Sequence, residues 1–246
     1  MPSAAGAGRL GRRGEKQRMI TQTATLMVNE TFVSIQGEGE RIGAPALFIR
    51  LDKCPLRCSW CDTPYALAGD AGVERSVEEL RVAAGSLRNV VITGGEPLLQ
   101  DIRPLVAVLA DRHVTVETSG TIFADLPAVS LFSISPKVGT SGYSPKLSVL
   151  RKYCATAAAR MQLKFVIGEP GDFEEAVACI RQLGGAPLAM PIIFQPESTR
   201  AGSSASYLNF LEQLTQAVLA RAELRPYDVR VLPQLHYLLW NGAPGR

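Results

Sequence analysis

Cys54, Cys58 and Cys61 form a C-x3-C-x2-C pattern within Cys54-Pro55-Leu56-Arg57-Cys58-Ser59-Trp60-Cys61-Asp62-Thr63. Thiolates this close repel one another unless a metal centre neutralises them, and soft sulfur ligands suit iron–sulfur clusters or zinc. Structural zinc takes four protein ligands. A fourth would have to come from Cys154, Cys179, His113 or His236, none of which is near in sequence. Three thiolates on a cubane 4Fe–4S cluster leave one iron open, which is what a cluster that binds and reduces a ligand requires. The pattern favours the cluster, with a zinc loop closed by a remote ligand as the alternative. Five cysteines, three of them within eight residues, are not laid out as a disulfide framework. A reducing, cytoplasmic setting is expected.

Other chemistry-bearing residues fall just after runs that read as strands. Arg50 ends the apolar run Phe48-Ile49-Arg50-Leu51, where a charge is costly unless paired. A carboxylate on a ligand would satisfy its guanidinium fork, and an internal ion pair with Glu38 or Glu117 is the plainer reading. Gly94-Gly95-Glu96-Pro97 allows close backbone approach, or is simply a tight turn. Asp62-Thr63-Pro64 by itself reads as an Asx-type turn. Trp60 either shields the cysteine loop or packs in the core. Cys154 and Cys179 sit in helical, Ala-rich surroundings and read as buried apolar residues. His236, beside Leu235, Leu238 and Leu239, reads as structural or as a pocket residue.

The elements that must position these groups follow from periodicity. Alternation and β-branched residues predict a strand over 26–35, with further strands over 46–51, 89–93, 114–118, 131–134, 162–167, 192–195 and 229–232. Ser76-Val77-Glu78-Glu79 has capping-box spacing, and helices are predicted over 102–112, 172–183 and 204–223. Such β-α-β alternation predicts an α/β fold with a mostly parallel sheet flanked by helices. Ligands in such sheets gather beyond the carboxyl ends of the strands. Gly37-Glu38-Gly39, the cysteine loop, Gly94-Gly95, Glu117-Thr118-Ser119-Gly120, Ser135-Pro136-Lys137 and Gln195-Pro196-Glu197 all fall there.

With 246 residues, 46% hydrophobic and 20% charged, the chain has the balance of one globular domain. No apolar run reaches the roughly 18 residues of a membrane span, so no membrane partner is expected. The net charge of +3 is misleading: residues 1–18 hold five Lys and Arg against one Glu, which is +4, and leave the body at 3 − 4 = −1. Basicity is therefore a property of the tail, and no nucleic-acid partner is expected. We expect 1–18 to be a flexible basic tail and 19–246 to be the core domain. The tail lacks the apolar stretch of a signal peptide. Its Arg-rich, acid-poor composition has some likeness to a transit peptide, although an upstream extension is the simpler account.

The cysteine spacing, followed by Gly-Gly-Glu-Pro after the next strand, resembles the radical S-adenosylmethionine (SAM) enzymes. Ile35-Gln36-Gly37-Glu38-Gly39, Phe48-Ile49-Arg50-Leu51, Cys58-Ser59-Trp60-Cys61-Asp62-Thr63, Glu117-Thr118-Ser119-Gly120, Ser135-Pro136-Lys137 and Gln234-Leu235-His236 narrow this to the 7-carboxy-7-deazaguanine synthase family, over roughly residues 27–240. The resemblance implies a single-domain, partial (βα)6-type radical SAM barrel. It implies a 4Fe–4S cluster on Cys54, Cys58 and Cys61, with SAM chelating the open iron. Gly95, Ser135, Pro136, Lys137, Gln195, Pro196, Glu197 and Ser198 would line the SAM site. Thr63 would ligate Mg2+, a hard cation that keeps several waters. Ile35, Gln36, Gly37, Arg50 and Thr93 would contact substrate, with Arg246 as a further candidate because the family's extreme C-terminus approaches the substrate.

The implied reaction is that of a lyase in queuosine biosynthesis. A 5′-deoxyadenosyl radical abstracts hydrogen from C6 of 6-carboxy-5,6,7,8-tetrahydropterin, the ring contracts, and ammonia leaves to give 7-carboxy-7-deazaguanine. A flavodoxin or ferredoxin electron donor and a homodimer are implied as well. One rival is a glycyl-radical activase, which would carry a further cysteine-rich insertion absent from this sequence. A non-enzymatic zinc or electron-transfer module is the other.

Overall fold

The computed structural model describes residues 24–157, 160–184, 188–241, 243 and 245. The expected tail, the start of the core domain at 19 and Arg246 lie outside the described residues. Nine strands form one sheet in the order β3-β1-β2-β4-β5-β6-β7-β8-β9. They are β1 (Thr25–Ile35), β2 (Pro45–Leu51), β3 (Val73–Ser76), β4 (Asn89–Gly94), β5 (His113–Thr118), β6 (Leu131–Ile134), β7 (Met161–Ile167), β8 (Ile192–Pro196) and β9 (Val229–Val231). From β2 and β4 onward every pairing is parallel. β1 runs antiparallel to both β2 and β3. The sheet is open, with β3 and β9 at its edges, so the mostly parallel, partial-barrel expectation holds.

The helices are α1 (Val77–Ala83), α2 (Arg103–Val108), α3 (Leu147–Ala157), α4 (Pro170–Leu183), α5 (Ser204–Ala220) and α6 (Leu235–Trp240). The capping box predicted at Ser76 is present: its hydroxyl accepts from Glu79 N while the Glu79 carboxylate accepts from Ser76 N at 2.8 Å. α4 starts two residues before the predicted helix because Pro170 suits the first helical position, where no N–H is needed. β3 and α6 are not predicted from the pattern, and α3 is anticipated only through the helical surroundings read for Cys154. β3 is short and polar, and only its antiparallel pairing to β1 makes it a strand.

Strands flanked by helices bury both faces, so they read as continuous apolar runs. All seven positions of β7 are buried. Leu163, Phe165 and Ile167 join the main core with Ile92, Val116 and Phe194, while Gln162 and Lys164, on the alternate face, point into the hollow of the curved sheet. Cys179 in α4 is buried, and burial pushes its thiol up to about 12. Cys154 in α3 is only partly buried, which modifies the expectation for it. Among the described residues no helix is long and apolar enough to cross a membrane.

Candidate active site

A cleft opens at the carboxyl ends of the parallel strands and encloses about 1280 Å³ including its open mouth. The sheet brings together residues scattered along the chain. Cys54, Cys58, Cys61 and Thr63 line the cleft, as do Ile35, Gln36, Gly37, Arg50 and Thr93. Gly95, Ser135, Lys137, Glu197 and Ser198 line it too. Pro136, Gln195 and Pro196 do not reach its wall. The Gln195 amide is instead buried beneath it, donating to the Glu38 carboxylate at 2.8 Å.

The cysteine loop is fixed by its own backbone. Cys54 N donates to Leu67 O at 3.1 Å, and Cys61 N to Cys58 O at 3.2 Å. Burial raises all three thiols above the ordinary value. At Cys54 the nearby Glu96 and the sister thiols add to this, while at Cys58 the Lys137 ammonium opposes it. The protein alone therefore keeps these groups as neutral thiols, and a bound metal centre must displace their protons. None is in a disulfide. Among the described residues no three or more His, Cys, Asp or Glu side chains gather around a point suited to a single ion. Three soft sulfurs on one cleft wall suit an iron–sulfur cluster.

Around the loop, Trp60 is buried and its indole N–H donates to Thr140 Oγ1 at 3.0 Å. Lys137 lies over its ring, 5.3 Å from the centroid, and donates to Ser135 Oγ at 3.1 Å. Thr63 gives its hydroxyl proton to Asp62 Oδ1 at 2.8 Å, which leaves the hydroxyl lone pairs free for a cation. Glu96 is fully buried and accepts from Thr118 Oγ1 at 2.8 Å and Ser119 N at 2.9 Å. It thus joins the loop after β4 to the loop after β5.

Crowding leaves no room for a side chain at several glycines, Gly94 and Gly37 among them. Gly94 has φ 146°, and a Cβ there would lie 2.2 Å from Leu51 O. A Cβ on Gly37 would lie 2.1 Å from His236 Nδ1, so the imidazole packs directly on the loop after β1. We predict that Gly94→Ala destabilises the protein by about 3 kcal/mol or more, since strained backbone and an immovable carbonyl both oppose the methyl. Urea denaturation would reveal it, and an unchanged midpoint would show that the loop adapts.

The ion-pair partner of Arg50 is Glu30, neither Glu38 nor Glu117; Nε donates to Glu30 Oε1 at 2.7 Å. The regular antiparallel register of the β1/β2 pair, continuous from Ile35 opposite Pro45, sets Glu30 opposite Arg50. Glu38 pairs instead with Lys164 of β7 and accepts from Gln195 and, at 2.6 Å, from Gln234. Burial raises its carboxyl, but the Lys164 ammonium, His236 and the hydrogen bonds outweigh that and hold it well below the usual carboxylate range. Leu235 N also donates to Gly37 O at 2.8 Å. The loop after β1 is thereby clamped to β7, β8 and the C-terminal segment, across the mouth of the open sheet. Sequence reasoning missed Lys164 and Gln234 as cleft residues; the only local signal was a lysine within a run otherwise fit for the core.

The model of the radical SAM superfamily matches residues 48–186, more than half of the chain. Fold, cysteine loop and cleft thus define a radical SAM protein. The chain is 34% identical to the 7-carboxy-7-deazaguanine synthase of Pyrobaculum aerophilum over 92% of its own length and 100% of that protein. It is 32% identical to the synthase of Halobacterium salinarum, over 89% and 92% respectively. The crystal structure of QueE from Escherichia coli matches with TM-score 0.67 at 26% identity, covering 88% of this chain and 97% of that one. The chain belongs to the 7-carboxy-7-deazaguanine synthase family.

Proposed function

We propose that the chain is a radical SAM lyase of queuosine biosynthesis that converts 6-carboxy-5,6,7,8-tetrahydropterin to 7-carboxy-7-deazaguanine with loss of ammonia. The observation that carries this reading is the convergence of three unpaired cysteines, the Gly94-Gly95 turn and Arg50 on one cleft. When bound, a 4Fe–4S cluster and SAM supply one-electron chemistry that yields a 5′-deoxyadenosyl radical. Cys54, Cys58 and Cys61 would hold the cluster. Gly95, Ser135, Lys137, Glu197 and Ser198 would hold SAM, with Pro136, Gln195 and Pro196 contributing through backbone or by supporting their neighbours.

Arg50 would receive the substrate carboxylate, and Ile35, Gln36, Gly37 and Thr93 would frame the ring. Thr63 would bind Mg2+ through its hydroxyl. The stacked Phe32 and Phe48 rings, 5.0 Å apart, line the cleft and would form an apolar wall beside the substrate ring. Arg246 remains a candidate substrate contact, 19–246 the core domain, and 1–18 a basic tail. A flavodoxin or ferredoxin donor, a homodimer and a cytoplasmic location complete the reading.

The test is anaerobic reconstitution with iron and sulfide, then incubation with SAM, dithionite, Mg2+ and the carboxytetrahydropterin, with products read by mass spectrometry. Carboxydeazaguanine is expected. If 5′-deoxyadenosine forms while the pterin survives, the substrate assignment fails although the radical SAM chemistry stands.

A further inference from the structure

Glu30 and Tyr65 are used nowhere in the reading above, yet both converge on Arg50. Glu30 Oε1 accepts from Arg50 Nε at 2.7 Å and from the Tyr65 hydroxyl at 2.8 Å. The guanidinium also lies over Phe32, its ζ-carbon 5.8 Å from the ring centroid. One edge of the guanidinium is therefore taken by Glu30, and Phe32 covers one of its faces. Among the described residues the two terminal amino groups have no protein hydrogen-bond partner, and Arg50 lines the cleft. Those two groups form the end-on fork that matches a carboxylate.

We propose that Glu30 is a positioning residue for substrate recognition: it pins the side edge of the Arg50 guanidinium so that the free fork faces the substrate carboxylate. Tyr65, two residues beyond Thr63, ties this arrangement to the cysteine loop through the same Glu30 oxygen. An arginine without such a partner spreads over many rotamers and must be ordered on binding. Glu30 orders it beforehand and offsets its charge while the cleft is unliganded. The proposal rests on the reading that Arg50 meets the substrate carboxylate.

The experiment compares Glu30→Gln, Tyr65→Phe, Arg50→Ala and wild type, all reconstituted anaerobically, in calorimetric binding of two ligands. One is the carboxytetrahydropterin and the other is tetrahydropterin without the carboxylate. Glu30→Gln is expected to weaken the carboxylated ligand about tenfold and to leave the other unchanged. In turnover its KM rises by a similar factor while kcat changes little. Tyr65→Phe, at a half-exposed position, gives the same selective loss to a smaller degree and carries the test if Glu30→Gln does not fold. Equal weakening of both ligands, or of neither, overturns the proposal. If Arg50→Ala shows no carboxylate-selective loss, the Arg50 contact itself is wrong and the proposal falls with it. If Arg50→Ala shows that loss and Glu30→Gln does not, only the positioning role is wrong.

Discussion

Cys58→Ala is expected to lower product formation by on the order of 10³-fold or more while the protein stays folded. Cys58 is partly exposed on a loop whose conformation is set by backbone hydrogen bonds, so truncating it removes little packing. What it removes is one of three sulfurs on the cleft wall, and no fourth ligand stands near enough in sequence to replace it. Cys154→Ala is the matched control. That thiol sits in α3 and is not part of the cleft wall, so iron content and turnover should match wild type. Iron and sulfide content, absorbance near 400 nm and 5′-deoxyadenosine yield read the result. A Cys58→Ala protein that keeps a full cluster and turns over would remove this loop from the chemistry.

The second large effect is expected at Glu38. Glu38→Gln leaves the Lys164 ammonium buried opposite a neutral amide, and breaking a buried pair in this way costs about 3–5 kcal/mol. Glu38→Gln combined with Lys164→Met should recover part of that loss, because the uncompensated charge is gone. The pair also has a pH signature. The folded carboxyl is held below its ordinary value of 4.5, so its contribution is present above pH 4.5 and is lost as pH falls through the folded value. Burial lowers the Lys164 ammonium, but Glu38 and Glu117 more than compensate and raise it above 10.5, so its contribution persists below that pH and is lost as pH rises through the folded value. Urea midpoints from pH 3 to 7 should therefore fall toward acid in wild type and lack this component in Glu38→Gln. Because Glu38 clamps the loop carrying Gln36 and Gly37, substrate KM should rise as well. Identical midpoints for the two proteins at pH 7 would mean that the clamp contributes nothing to stability.

The sequence by itself determined what depends on near neighbours. The cysteine spacing, the Ser76 capping box, the glycine turn after β4 and the apolar strand runs all act within a few residues, and the structure has them where the pattern puts them. The cleft's location at the strand ends follows from parallel βα order alone. Tertiary structure decided the polar contacts. Glu38 meets Lys164, Gln195 and Gln234 across separations of 126, 157 and 196 residues, and no local rule selects those partners. The same holds for Arg50: the β1/β2 register, which neither strand's own pattern specifies, sets Glu30 opposite it, while Glu38 pairs with Lys164. Buried charges take whichever partner the fold brings within reach, and only closing the sheet's mouth fixes which that is.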